Sequence, residues 1–401
     1  MLIATAVCAA RASGAGAAGN GAQPVASPQD PATVLWGEQE AGVRTEPPSP
    51  PPASGSFALP IGERTVRWRS RLFGDLGAGW SERPAERAHT AFAFGSLDLF
   101  LTARLDESVQ LISETLLEAG EEGVALDQER LWLRYRAAAG WYVKFGLEHA
   151  PLSRWNRRFH HGRWLYPALE PPMLARFEDD GGLLGIHEVG LELGDTWNTP
   201  AGRLETLAAV SNGRAARPDR RQLFDDGNDA KAIDLAVALR PRGAPSLRLE
   251  AATHYDEIPP LAGQPDRRRS MREWVARTAL ELTAGPIELL GEAVFVQHRD
   301  RVARRTFHHA SAYLQFAATF GPLTPYARID TRDMERDDPF YALVASDLDA
   351  NEANVGLRWD PTESVALKLE LGYRWAQRRT SGGELRRGGA TRVGLQLAWV
   401  F

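Results

Sequence analysis

Arginines at alternate positions are the first chemistry this chain offers. Arg67, Arg69 and Arg71 share one parity, as do Arg130, Arg134 and Arg136, while Lys144, Arg328 and Arg374 sit in similar alternating runs. In an extended strand, alternate side chains point to one face. A face built this way carries fixed positive charge, and the chemistry that suits it is electrostatic: it attracts and guides anions. Acidic residues of matching parity, among them Asp98, Glu148, Glu188, Glu192, Glu250, Glu281, Glu292, Asp330, Glu352 and Glu370, offer the other use of such charges, pairing across neighbouring strands to brace a wall. A second basic group lies in one long connection, 150–183. Arg154, Arg157, Arg158 and Arg163 alternate there with Trp155 and Trp164, and Glu178, Asp179 and Asp180 end the segment. A basic edge facing an acidic edge would set a transverse field across an opening. A connection this long usually has a task, and the alternative is a surface loop that seals a mouth.

Covalent and metal chemistry find less support. His160 and His161 with His187, and His308 with His309, invite a metal reading, but adjacent histidines on a strand point to opposite faces and chelate poorly. The run from Asp225 to Asp229 lacks the spacing and the distal Glu of a calcium loop and reads as an Asx turn. There is no G-x-S-x-G, no P-loop and no dinucleotide fingerprint, and no Ser, His and Asp spacing singles out a triad. The expectation is a protein with no cofactor, no metal and no enzymatic activity.

The elements that position these charges are long strands. From Val393 to Phe401, Val393, Leu395, Leu397, Trp399 and Phe401 alternate with Gly394, Gln396, Ala398 and Val400. Val365, Leu367, Leu369, Leu371, Tyr373 and Trp375 likewise alternate with Lys368, Glu370, Gly372 and Arg374. This is period two with one apolar face. Soluble strands average about five or six residues, whereas runs of this length suit tilted strands that cross a membrane. Similar segments recur back to residue 66 and number about sixteen, an even count that returns both ends to one side. Short turns, such as Asp106 with Glu107 and Gly321 with Pro322, alternate with longer connections at 80–90, 119–126, 150–183, 214–229, 257–271, 299–306, 334–350 and 378–388. Trp141, Trp359, Trp375, Trp399 and Phe401 fall near strand ends, where rings favour a membrane–water interface. The fold class expected is all-β: a transmembrane antiparallel β-barrel with short periplasmic turns and long outer loops. On this alternation, Leu369→Arg blocks assembly and Glu370→Arg is tolerated.

Composition sets the outer limits. Net charge is −5, with 47 basic and 52 acidic residues, so nucleic-acid binding has no global electrostatic support. No run of some 18 apolar residues occurs, which excludes a membrane helix but not a barrel, whose lumen residues dilute the hydropathy. Cys8 is the only cysteine, so no disulfide framework exists. Residues 1–22 read as a signal segment and 23–64 as a disordered linker rich in Pro, Ala and Gly, leaving 65–401 for the barrel.

The terminal Phe401, preceded by alternating apolar residues, resembles the last strand of outer-membrane proteins, which the barrel assembly machinery recognises. Val210, Ser211, Asn212, Gly213 and Arg214, followed by Asp226, Gly227, Asn228, Asp229, Ala230 and Lys231, resemble porins of the phosphate-selective O/P type. The resemblance implies a Gram-negative outer-membrane porin: a water-filled channel for passive diffusion of small solutes, with anions as the candidate class. Arg67, Arg69, Arg71, Arg130, Arg134, Arg136, Lys144, Arg328 and Arg374 would then line the pore, and the 150–183 connection, third among the outer loops, would form its constriction. Partners expected are outer-membrane lipid, the assembly machinery and small hydrophilic solutes, with a homotrimer as an arrangement open to such a barrel. Two other readings stand beside it: a structural barrel within a larger outer-membrane assembly, and an outer-membrane hydrolase.

Overall fold

The computed structural model describes residues 55–61, 64–82, 88–120, 123–159, 162–176, 182–224, 226–343, 347–379 and 385–401. The strands are β1 (Gly55–Ile61), β2 (Arg64–Glu82), β3 (His89–Arg104), β4 (Val109–Gly120), β5 (Gly123–Arg136), β6 (Tyr142–His149), β7 (His187–Thr199), β8 (Gly202–Ser211) and β9 (Ala232–Pro241). They continue as β10 (Leu247–Ile258), β11 (Met271–Ala284), β12 (Ile287–Arg299), β13 (Thr306–Ala318), β14 (Leu323–Met334), β15 (Asp347–Thr362), β16 (Val365–Arg379) and β17 (Leu385–Val400). Each consecutive pair from β2 to β17 is antiparallel, and β17 pairs back onto β2. Sixteen strands therefore close into a barrel, which removes the unpaired edge that a sheet in lipid could not tolerate. The seam is finished by reciprocal bonds, Leu72 N–H to Phe401 O at 2.9 Å and Phe401 N–H to Leu72 O at 3.0 Å.

Register sorts the side chains onto two faces. Leu369 lies opposite Leu395 and Leu357, and all three face outward. Leu369 is 48% exposed on the bare barrel, whereas its neighbours Lys368 and Glu370 point inward and are only 2% and 1% exposed. A charge on the outer face near the bilayer midplane would cost roughly 2–4 kcal/mol, which is why the charged parity is the inner one. Outward rings collect near the strand ends: Trp141, Trp359 and Trp399 at one rim, Trp80, Trp274 and Tyr373 toward the other.

The two rims differ. At the turn rim the connections are short, as at 285–286 and 319–322, where Gly285 and Gly321 take positive φ to reverse the chain. At the loop rim they span 83–88, 121–122, 150–186, 212–231, 259–270, 300–305, 335–346 and 380–384. The second of these is far shorter than the 119–126 expected, because β4 and β5 keep pairing to Gly120 opposite Gly123. Backbone ladders extend beyond the point where the apolar contrast fades, so side-chain pattern alone ends them early.

A second correction concerns the stretch 23–64 read as a disordered linker. From Gly55 the chain pairs with β2, in register from Gly55 opposite Ser70 to Ile61 opposite Arg64. β17 ends opposite Phe73, so the start of β2 would otherwise present unpaired backbone groups, and β1 fills that place. Phe57 stacks on Trp68 at 6.1 Å, an apolar anchor hidden in a background of small residues and prolines. The residues assigned to the signal segment, and those of the linker before Gly55, lie outside the described residues.

Candidate functional site

The interior is built around the connection 150–186, which folds into the barrel. Its first turn is a short helix, α1 (Arg154–Arg158), whose N-cap Ser153 accepts from Asn156 N–H at 3.2 Å. A wall carboxylate completes the cap: Glu292 on β12 accepts Arg154 N–H at 2.6 Å and Trp155 N–H at 2.8 Å. Negative charge belongs at that end of a helix, so the wall itself fixes where the loop begins. Trp155 is 1% exposed and packs on Phe159, Tyr166 and Tyr313 at 4.7, 4.9 and 5.8 Å. Beneath these rings the lumen face of β11–β13 is apolar, with Val275, Leu290, Val294 and Val296 turned inward.

The rest of the loop is fastened to β14–β17 through its backbone. Lys368 donates to Ala168 O at 3.0 Å, Arg328 to Glu170 O at 2.7 Å, and Arg358 to Trp164 O. Conversely Glu370 accepts Leu169 N–H at 3.3 Å and Asp330 accepts Met173 N–H at 3.0 Å. Arg328 therefore faces inward but lies beneath the loop, bound also to Asp330 at 2.8 Å. Arg374 faces inward beside Glu352 at 4.0 Å.

The loop's own arginines reach wall carboxylates. Arg154 and Arg158 bind Glu281 at 3.1 and 2.8 Å, Arg158 also binds Glu288 at 2.8 Å, and Arg157 binds Glu192 across the lumen at 3.0 Å. Burial alone would pull the Arg157 guanidinium down, but Glu192 and Glu148 outweigh it and hold it above its ordinary range, so the charge persists. Arg163 turns back to Glu170 at 3.0 Å. The opposite end of the loop as read from sequence, Glu178, Asp179 and Asp180, lies outside the described residues, as do His160 and His161.

Between α1 and the wall of β4–β11 an open cavity of about 130 Å³ remains, lined by Arg130, Arg134, Lys144, Arg154, Arg157, Arg248 and Arg277, with Glu148, Asp195, Glu205 and Glu250. Several of these cations have partners: Arg130 with Glu114, Lys144 with Glu148 at 2.6 Å and Glu192 at 3.0 Å, and Arg248 with Glu205 at 2.7 Å. The register nevertheless sets like charges directly opposite one another toward the turn rim. Arg67 faces Arg104, Arg134 faces Lys144, and Arg203 faces Arg240. Directly opposed like charges destabilise an antiparallel pair. Among the described residues, Arg67, Arg69 and Arg104 have no ion-pair partner. Arg71 and Arg136 also face inward at this end.

The chain matches no family model, and no curated protein matches it in sequence. Solved structures do match. An anion-selective porin from Comamonas acidovorans superimposes with a TM-score of 0.59 at 13% identity, over 84% of this chain and 100% of its own. The outer membrane channel DcaP of Acinetobacter baumannii gives 0.55 at 12% identity, over 84% and 97%. OmpT of Vibrio cholerae, an outer membrane protein in trimer form, gives 0.53 at 11% identity, over 83% and 99%. The chain has the porin fold. Within that fold the segment from Ser211 to Arg214 has a local task. Ser211 Oγ donates to Glu188 at 2.5 Å, and Gly213 takes φ +69° where a Cβ would lie 2.5 Å from Asp256. That turn sends Arg214 inward to Glu273 at 2.9 Å and to Leu183 O, at the end of the inward loop, at 3.0 Å.

Sequence reading missed the wall that receives the loop. The signal was present: β12 is apolar on both parities, Leu289 and Phe295 outward, Leu290, Val294 and Val296 inward, and a lumen strand has no reason for that unless something covers it. It also missed two buried groups of metal-ligating side chains, Glu188 with Asp234 and His254, and His298 with His309 and Asp338. Each draws its members from separate strands or loops, so no linear spacing betrays them.

Proposed function

We propose that this chain is a porin of the bacterial outer membrane, a water-filled channel for passive diffusion of small solutes that prefers anions. One observation carries the preference: Arg67 and Arg104, directly opposed on the open side of the lumen with Arg69 beside them, have no ion-pair partner among the described residues. That opposed pair costs stability, and a permeating anion is what would offset it. The fold shared with an anion-selective porin and with the channel DcaP supports the same reading. Arg130, Arg134, Arg136 and Lys144 serve as the wall of the pathway, with Arg154 and Arg157 on the loop that narrows it. Such a channel performs no covalent chemistry. Its resemblance to the phosphate-selective O/P type rests on the segment from Val210 to Arg214 and the one that follows from Asp226 to Ala232. The basic residues of its lumen are mainly arginines, since the chain has only Lys144, Lys231 and Lys368 as lysines, so its selectivity is for anions generally rather than for phosphate. A homotrimer is the proposed assembly, in keeping with the trimer form of OmpT.

The test is the refolded protein in planar bilayers. Stepwise openings in which chloride carries more current than potassium are expected. Openings with cation preference would keep the channel and reject the role of the opposed arginines. A folded, inserted protein that gives no steps would favour the structural barrel.

A further inference from the structure

The wall of β7–β10 turns acidic toward the loop rim, where Glu148 lies directly opposite Glu188 and Asp234 lies one strand beyond Ser211. Glu188, Asp234 and His254 converge there from three strands, with ligand atoms within 4.8 Å of one another, and they are 7%, 0% and 1% exposed. Small residues on the intervening β8, Ala209 and Ser211, let the two carboxylates approach across it. Donors reach only half of their oxygens. Ser211 Oγ bonds Glu188 Oε2 at 2.5 Å and His254 Nδ1 bonds Asp234 Oδ1 at 2.9 Å, while Glu188 Oε1 and Asp234 Oδ2 are buried with no hydrogen-bond partner. Among the described residues no lysine or arginine forms an ion pair with either carboxylate. A cavity of about 30 Å³ adjoins them, with Glu188, Asp234, Ser211 and His149 in its lining, along with Lys144, which is already bound to Glu148 and Glu192. That exceeds the ~10–15 Å³ a single water-sized sphere needs.

The neighbouring group, His298 with His309 and Asp338, shows what a self-sufficient cluster looks like. Asp338 Oδ2 takes both imidazoles, at 2.6 and 2.7 Å, and its other oxygen accepts Phe340 N–H at 2.8 Å. Both oxygens of that carboxylate have protein donors. At Glu188 and Asp234 one oxygen of each carboxylate is left without a donor.

We propose that Glu188, Asp234 and His254 bind one first-row divalent cation, Zn²⁺ by preference. Two carboxylates and one imidazole form a mixed oxygen–nitrogen set that suits such ions, and three protein ligands leave a fourth position for water or the Ser211 hydroxyl. Calcium asks for about six to eight oxygens, which this group does not supply. With Nδ1 of His254 on the metal, its Nε2 faces Glu273 Oε1, at 3.5 Å, the outer carboxylate that commonly orients a ligating histidine. Both of those atoms otherwise lack a hydrogen bond. Bound metal would tie β7, β9 and β10 together and cancel negative charge on the wall of the lumen.

The experiment uses the full chain, refolded and stripped with chelator, then titrated with Zn²⁺ alone by calorimetry, with metal content measured after dialysis. One ion per chain is expected. Asp234→Asn and the near-isosteric Glu188→Gln should each abolish binding, while His309→Ala, in the self-balanced cluster, should retain it. Heat-modified gel mobility and far-UV dichroism confirm that each variant is a folded barrel. Cobalt in place of zinc should give the visible bands of a tetrahedral site, and those bands should vanish in His254→Ala. A folded wild-type barrel that takes up no zinc would overturn the proposal, and would mean that the two carboxyls share a proton instead. Binding that survives Asp234→Asn, or that is lost with His309→Ala, would overturn it as well.

Discussion

Along β2–β10 the inner wall sets Arg67 opposite Arg104, Arg134 opposite Lys144 and Arg203 opposite Arg240. Along β11–β17 the charges are spoken for. Arg358 and Lys368 also lie opposite each other, but they donate to the loop carbonyls of Trp164 and Ala168, and Arg392 binds Glu370 at 2.7 Å. The same strand chemistry thus yields two surfaces. One half carries the loop and uses its charges as fasteners; the other faces the open cavity and, among the described residues, leaves Arg67, Arg69 and Arg104 without an ion-pair partner toward the turn rim. Position relative to the loop, not residue type, decides whether an inward arginine holds structure or meets solute.

The largest effect should come from the covered half. Glu370 is 1% exposed and accepts from Tyr326 Oη, Leu169 N–H and Arg392. Alternation alone marks Glu370→Arg as tolerated, because the position faces the lumen. The contacts reverse that expectation. The change would set a second guanidinium against Arg392 and cost on the order of 3–5 kcal/mol, the penalty for breaking a buried pair. Refolding yield on heat-modified gels should fall sharply, and wild-type stability in urea would refute the division between the halves.

Next in size is the anchor between them. Trp155→Ala removes a ring packed on Phe159, Tyr166 and Tyr313, a loss of about 3–5 kcal/mol to the seating of the loop. The barrel ladder is untouched, so far-UV dichroism should hold while single-channel conductance rises and grows noisy. Unchanged conductance would show that the loop does not narrow the pathway.

The smallest effect has the most informative sign. Arg67→Gln with Arg104→Gln relieves a like-charge pair and should stabilise the barrel in urea by roughly 0.2–1 kcal/mol. A loss of stability would mean that the pair is held by partners after all.

Much of this architecture is legible in the residues. The alternation of Leu367, Leu369 and Leu371 with Lys368 and Glu370 gives the strand and its faces, because lipid tolerates no charge on one of them. The parity of Arg67, Arg69 and Arg71 gives their direction for the same reason. Three things are not legible. β1 hides in a proline-rich stretch, since backbone pairing to β2 needs little from its side chains. Arg328 and Arg134 look alike in sequence, yet one lies under the loop and the other on the open wall, because the docking of 150–186 depends on contacts far apart in the chain. Glu188, Asp234 and His254 meet only once three strands are in register.

The most direct test of the central claim is the zero-current reversal potential in a KCl gradient, measured for the wild type and for the fourfold variant Arg67→Gln, Arg104→Gln, Arg203→Gln and Arg240→Gln. The wild type should reverse on the anion-selective side, and the variant should move toward zero with its conductance steps preserved. A wild type that reverses on the cation side, or a variant that reverses where the wild type does, would contradict the assignment of selectivity to the open half of the wall.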